Sequence, residues 1–339
     1  MKPLVCFFTI LFFILLSSCG NEDIDIIDER ICSVDVTVNL TDFFSCYNFV
    51  DTKHHLDLEK NKRFKSLNAA DIYESFSSFY VSGSGNRVTI EVRVLFYNDS
   101  GQLVNKNESV FISDYSDRVN QTIKLPTGRY TAIAILTFDD ADNRHWLLND
   151  KENLSTACLA TNGGSGGSIW SIMSYASQEV VIGEKNENKV QMTPAPVGAL
   201  CYVYYQNFQE NKRIASIRVC SDTIAQRFML DPNSQNRYII KDTGGSKFNW
   251  LNNMLLESTP KLYFDGTATY FQDDFFDYFY ILAPRCNLYF SYYQNGPGRS
   301  EPIELPACDI ENGRTYMIYW DYNHLDNPYF GLADNDHWY

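Results

Sequence analysis

Val88-Thr89-Ile90-Glu91-Val92-Arg93-Val94-Leu95-Phe96-Tyr97-Asn98-Asp99-Ser100-Gly101-Gln102-Leu103-Val104 is the stretch on which the fold turns. Val88, Ile90, Val92, Val94 and Phe96 recur at every second position, the period of a strand with one face turned to a core. Asn98-Asp99-Ser100-Gly101 then stops the run. Asn and Asp favour turns, and Gly supplies positive φ at little steric cost. Gln102-Leu103-Val104 begins the return, so the spacing predicts a hairpin or tight corner.

Upstream, Ser33-Val34-Asp35-Val36-Thr37-Val38-Asn39-Leu40 shows the same alternation. From about Ser45 to Ala70 the chain is polar and aperiodic, a long connection, with a short helix expected near Asp71 to Phe79. Downstream, after Ile123-Lys124-Leu125, Pro126-Thr127-Gly128-Arg129-Tyr130 reads as a turn, and Thr131 to Phe138 as a fully buried strand. Glu179 to Val190 reads as two short strands turning through residues 183–188. Thr193-Pro194-Ala195-Pro196 is the best boundary, because closely spaced prolines avoid central strands and stiffen a linker. Beyond it, alternation resumes at Leu200, Tyr202 and Tyr204. Strands are expected at Ile214–Cys220, Arg227–Leu230, Tyr238–Lys241, Lys261–Phe264, Phe275–Ala283, Asn287–Tyr293 and Tyr316–Tyr322. This rhythm of short strands and turn residues belongs to all-β sandwiches. Gly128-Arg129-Tyr130 in the first half has an echo in Gly313-Arg314-Thr315-Tyr316 in the second, which suggests two similar units.

At 339 residues the chain exceeds what one core usually serves. Aromatic residues reach 15%, which suits half-buried pleated surfaces. The formal charge is −14 with no basic patch, a poor match for nucleic acid or anionic lipid.

The N-terminus is of another kind. Lys2 precedes an apolar run, Leu4 to Leu16, too short for a permanent span and ending in Leu16-Ser17-Ser18-Cys19. This ending resembles the lipobox of bacterial lipoproteins. The resemblance implies cleavage before Cys19, whose thiol then carries a diacylglyceryl group. Asn21-Glu22-Asp23-Ile24-Asp25 is similar to the acidic surface-export signals of lipoproteins from gut and oral Gram-negative anaerobes. Two or three acyl chains suffice for stable anchoring. The expected layout is a signal peptide at 1–18, a lipidated tether at 19–32, a β-sandwich at 33–193, a linker at 194–196 and a second β-sandwich at 197–339.

Of nine cysteines, Cys6 leaves with the signal and Cys19 takes lipid. Cys32, Cys46, Cys158, Cys201, Cys220, Cys286 and Cys308 remain, an odd and widely spaced set without a CxxC pair. That argues against zinc and against a compact disulfide framework, and leaves any pairing open. His54-His55 with Asp57 and Glu59 form no complete metal set. Asp139-Asp140-Ala141-Asp142-Asn143 and Asp334-Asn335-Asp336 lack the calcium-loop pattern. The glycine-rich Thr161 to Ser168 lacks the lysine of a phosphate loop, and no nucleophile elbow is present. Asp273-Asp274 reads as a turn before a strand. The expectation is no enzyme, no cofactor and no metal. Trp146, Trp170, Trp250, Trp320 and Trp338 are candidates for stacking on sugar rings.

Taken together, the lipobox, Val92 to Val104, Leu125-Pro126-Thr127-Gly128-Arg129-Tyr130 and Val190-Gln191-Met192-Thr193-Pro194 give a chain that resembles the fimbrial anchor and minor-subunit lipoproteins of the FimB type. The resemblance implies two tandem transthyretin-like β-sandwich domains on the outer membrane, held by the Cys19 lipid. It also implies a fimbrial role in cell adhesion, with a structural pilin bound by β-strand addition. A host protein or a glycan is a further candidate ligand. In that family the structural subunits lose an N-terminal segment after a basic residue. Arg30 lies near such a place, but an anchor must keep its lipid, so Arg30 is read as an ordinary tether residue. The aromatic tail, Asp321 to Tyr339, departs from the family pattern. Asp222-Thr223-Ile224 is similar to the O-glycan acceptor pattern of surface proteins in these bacteria. The alternative function is a glycan-binding surface lipoprotein serving nutrient uptake.

Overall fold

The structure, a computed structural model, describes residues 30–40, 88–106, 109–112, 116–140, 146–161, 172–184, 187–206, 214–221, 223–240, 256–258, 262–264, 269–271, 275–294, 303–321 and 328–332. The expected helix near Asp71 to Phe79 and the signal peptide fall outside these residues. The chain is all-β, and among the described residues every regular element is a strand.

The first half contains β1 (Ile31–Asn39), β2 (Val88–Asn98), β3 (Ser109–Ile112), β4 (Arg118–Pro126), β5 (Gly128–Asp140), β6 (Trp146–Asn149), β7 (Cys158–Thr161), β8 (Ile172–Ile182) and β9 (Lys189–Met192). One sheet has the order β4-β1-β9, with β1 antiparallel to β4 and parallel to β9. The facing sheet runs β8-β5-β2-β3, antiparallel throughout. The expected alternation is what joins them. Val34, Val36 and Val38 from the first sheet share one core with Val92, Val94 and Phe96 from the second.

After β10 (Ala195–Pro196), the second half contains β11 (Ala199–Gln206), β12 (Ile214–Ser221), β13 (Arg227–Met229), β14 (Tyr238–Ile239), β15 (Leu256–Ser258), β16 (Leu262–Phe264), β17 (Thr269–Phe271), β18 (Phe275–Ile281), β19 (Arg285–Cys286), β20 (Leu288–Gln294), β21 (Ile303–Glu304), β22 (Cys308–Asp309), β23 (Thr315–Asp321) and β24 (Tyr329–Leu332). Here β11 is antiparallel to β18 and parallel to β23, as β1 is to β4 and β9. The order β15-β12-β20-β21 repeats β3-β2-β5-β8. These seven strands of the second half follow the order of their counterparts in the first, and β24 extends one of the two sheets.

The repeat is real, but the sequence echo joins the wrong strands. Gly128-Arg129-Tyr130 opens β5, whose counterpart is β20, whereas Gly313 and Arg314 precede β23, the counterpart of β9. What the two segments share is a local device. Tyr130 Oη donates to the Pro126 carbonyl at 2.8 Å, and Tyr316 Oη donates to the Asp309 carbonyl at 2.9 Å. Each phenol ties the start of a strand back to the last residue of the strand before it, as in the tyrosine corners of other sandwiches. The first corner is also tighter than expected, with Thr127 alone separating β4 from β5.

A further sheet, β14-β13-β7-β6, draws strands from both halves. Arg227, Phe228 and Met229 pair with Ala160, Leu159 and Cys158. This sheet covers the outer face of the first sandwich. That layer explains why Glu91 and Arg93, alternating with the core valines, are only 4% and 7% exposed. They meet the burial cost as a two-pronged ion pair, with Nε–Oε1 and Nη2–Oε2 both 2.8 Å.

The stretch 194–196 is ordered. Ala195 and Pro196 pair with Tyr175 and Ser174 at the edge of β8, where a proline leaves no ladder donor missing. Gly198 follows at φ 132°, and a Cβ there would lie 2.5 Å from the Ile281 carbonyl. Only glycine fits this crossing.

Candidate functional site

The chain's chemistry-bearing expectations fare unevenly. Cys19, Trp170, Trp250, Trp338, His54-His55, Asp273-Asp274 and Asp334-Asn335-Asp336 lie outside the described residues. Asp139 and Asp140 close β5. Trp146 is buried in the core at 4% exposure and so offers no face to a sugar. Thr223 is half-buried. Its Oγ1 accepts the Asn287 backbone N–H at 2.8 Å and sits 3.1 Å from Ser221 Oγ, which ties it into the fold. Among the described residues, no three His, Cys, Asp or Glu side chains converge as a metal site.

The site that the structure does assemble is built of backbone. β1 is the first described strand, and it begins at Ile31, so it takes in the last two residues of the expected tether, Ile31 and Cys32. It occupies the middle of its sheet, paired along its whole length with β4 from Ile31–Pro126 to Asn39–Arg118. On the other side Asp35 to Val38 run parallel to Lys189 to Met192. Val34, Val36, Val38 and Leu40 point inward and are fully buried, while Asp35 and Ile31 face solvent. Burial of one such side chain is worth roughly 1.5–3 kcal/mol. Side chains add a second row of bonds. Thr122 Oγ1 donates to Asp35 Oδ1 at 3.0 Å, Thr37 Oγ1 to Asn120 Oδ1 at 2.9 Å, and Asn39 Nδ2 to Thr193 Oγ1 at 2.9 Å.

The start of β1 is pinned as well. Arg30 Nη1 pairs with Glu184 Oε2 at 2.6 Å, and the Arg30 carbonyl accepts the Thr127 N–H at 3.0 Å. Both side chains of that ion pair are largely exposed, so it contributes little on its own. Asn188 Nδ2 donates to the Gly183 and Ser33 carbonyls, locking the turn before β9 against β1.

Strand edges present the complementary half of the site. β3 ends one sheet and exposes Phe111 to 47%, and β24 ends another with Tyr329 and Leu332 exposed to 38% and 36%. At β24, Phe330 points inward against Tyr316, with ring centroids 6.0 Å apart. Tyr329 lies across Gly331, where a Cβ would collide with its hydroxyl. An aromatic lying over an edge glycine steadies an otherwise weak strand. On the flank of β2 that β3 occupies, the Asn105 side chain continues the ladder beyond Arg93. Its Oδ1 accepts the Phe96 N–H at 2.7 Å and its Nδ2 donates to the Val94 carbonyl at 2.8 Å.

Sequence reasoning missed the joint between the halves. The Arg237 guanidinium lies 4.3 Å from the centroids of both Tyr175 and Phe228. Those rings meet edge-on at 5.5 Å, and Tyr175 Oη donates to the Leu230 carbonyl at 2.6 Å. Burial raises the Tyr175 phenol above its ordinary value, so the hydroxyl remains a donor. Tyr280 Oη reaches the Val197 carbonyl at 2.6 Å. The clustering of aromatic residues was the available signal, but it does not say which rings meet.

No protein-family model matches the chain, and no curated protein matches it either. Among solved structures it is similar to the fimbrial anchor protein Mfa2 of Porphyromonas gingivalis, with 12% identity and a TM-score of 0.44 over 88% of this chain and 95% of the other. The tip fimbrial protein Mfa3 of the same organism, with a C-terminal truncation, gives 11% identity and a TM-score of 0.36 over 90% and 99%. A candidate adhesin of Bacteroides ovatus gives 11% and 0.44 over 83% and 84%.

Proposed function

We propose that the chain is a non-enzymatic outer-membrane lipoprotein, tethered through Cys19, that anchors a fimbria or forms one of its minor subunits in cell adhesion. Residues 1–18 are the removed signal, 19–32 the tether, and 33–193 and 197–339 the two sandwich units on either side of 194–196. The partner is a pilin, engaged by strand addition.

The observation that carries this reading is the place of β1. A strand that begins at the end of the proposed tether, and is separated from β2 by a long stretch of chain, fills the centre of a sheet between β4 and β9. The first sandwich is thus already built around one inserted strand, supplied in cis. The exposed edge strands β3 and β24 offer the same backbone chemistry to a strand supplied in trans, where main-chain hydrogen bonds give affinity. Retention of β1 beside the lipid suits an anchor.

The test is a mild-detergent extraction of the tagged protein from cell surfaces, run unboiled and boiled on one gel. A heat-sensitive ladder of a second, polymeric protein is expected. Cys19→Ala should release the protein from the membrane fraction and lose the ladder from it. A lone band that binds polysaccharide columns instead would overturn the reading in favour of glycan capture.

A further inference from the structure

The cysteines that the sequence left unpaired do not lie at random. β19 and β22 run antiparallel, with Arg285 facing Asp309 and Cys286 facing Cys308. Directly opposed residues of an antiparallel ladder point to the same face, with Cα atoms roughly 4.5–5.5 Å apart, inside the span of about 4.4–6.8 Å that a disulfide accepts. Two further contacts hold this register. Ile310 N–H donates to the Pro284 carbonyl at 2.9 Å, and Arg285 Nη1 meets Asp309 Oδ1 at 2.6 Å.

The two thiols differ in access. Cys286 is buried, with Sγ 3.8 Å from Ser221 Oγ. Cys308 is half-exposed, and its Sγ lies 3.4 Å from the Asp309 carbonyl. A third cysteine, Cys201 of β11, is buried nearby. Burial first, and then the adjacent Cys286 and Cys308, push its thiol well above the ordinary range. Its register partners on β18 and β23 are Phe279 and Tyr316.

We propose that Cys286 and Cys308 are joined by a cross-strand disulfide, formed by exchange with a disulfide donor outside the cytoplasm, and that Cys201 stays a thiol. The accessible Cys308 thiolate attacks one sulfur of the donor disulfide, breaking that bond and releasing the first donor thiol. The Cys286 thiolate then attacks the Cys308 sulfur of the mixed disulfide and releases the second. The two cysteines are oxidised, the donor disulfide is reduced to two thiols, and the protons of Cys286 and Cys308 end on those thiols. The bond closes the excursion from β19 to β22, which carries β20 and β21, onto the ladder that precedes β23. Such a closure restricts the unfolded chain more than the folded one. The proposal rests on the surface reading only for where the oxidation takes place. Disulfides persist outside the cytoplasm and are rare within it.

The experiment maps peptides of the full-length protein by mass spectrometry, alkylated under denaturing conditions without reductant. One sample is extracted from membranes of the producing cells, and a second is purified, reduced and then incubated with oxidised glutathione. A Cys286–Cys308 cross-linked peptide in both samples, with Cys201 alkylated, is the expected result. Reductant should then lower Tm by several degrees in the native protein and leave Cys308→Ser unmoved. A bond that forms with glutathione but is missing from extracted protein would retain the pairing and count against the surface location. Alkylation of both Cys286 and Cys308 in the glutathione sample, or a cross-link through Cys201, would overturn the pairing.

Discussion

The two sandwiches share one strand order but distribute their length differently. In the first, the antiparallel sheet dominates, with eleven residues in β2, thirteen in β5 and eleven in β8. Their counterparts β12, β20 and β21 have eight, seven and two. The other sheet reverses the balance. The parallel partner of the first strand is β9 with four residues in the first half and β23 with seven in the second, where β24 extends the sheet further. One topology therefore supports two designs, a broad covered sheet in the first half and a narrower unit that carries an extra edge strand in the second. The shared sheet β14-β13-β7-β6 makes them answer to each other.

That coupling is the easiest thing to break. Phe228 is 1% exposed, packs on Tyr175 and Tyr238, and pairs through its backbone with Leu159. Phe228→Ala should cost about 3–5 kcal/mol. Its larger consequence is that chemical denaturation, followed by intrinsic fluorescence, should separate into two transitions where the native protein shows one. The tyrosine corners give a smaller and sharper contrast. Tyr130→Phe leaves one backbone carbonyl without its phenol donor, a loss of about 1 kcal/mol. Tyr316→Phe removes both the bond to Asp309 and the one accepted from the Glu311 N–H, so about twice that loss is expected in thermal unfolding. The smallest effect belongs to Ser174, wholly buried with no hydrogen-bond partner for Oγ. Ser174→Ala should leave Tm within a degree or two or raise it, since an orphaned hydroxyl is removed and little volume changes.

The elements legible in the sequence were those whose side chains alternate. The strand expected at Asn287–Tyr293 is observed at Leu288–Gln294, and the one expected at Tyr316–Tyr322 at Thr315–Asp321. The turn at Asn98 to Gly101 forms as its residues demand, with Gly101 at φ 77° and Asn98 Oδ1 accepting from Ser100 and Gln102. β8 starts seven residues before the expected Glu179, because Ile172 to Gln178 carry small and polar residues between the apolar ones and show no clean period. β13 and β14 form where strands were expected, at Arg227–Met229 and Tyr238–Ile239, whereas β6 and β7 have four residues each, too few to establish any period. The pairing of β7 with β13 joins opposite halves of the chain, and no local pattern encodes that. The burial of Glu91 and Arg93 follows from the same layer, so it too was invisible. Cys286 and Cys308 are brought opposite by a two-residue ladder that only the surrounding sandwich can form.

One mechanical consequence follows from the direction of β1. If the proposed lipid at Cys19 carries a load, the pull reaches β1 at its N-terminal end, Ile31. It bears at once on the whole β1–β4 ladder and on the β1–β9 ladder, so their bonds must slide together instead of unzipping one at a time. Hydrogen bonds loaded in shear share the force. Under that proposal, the strand that completes the first sheet is also the one through which the sheet is hung.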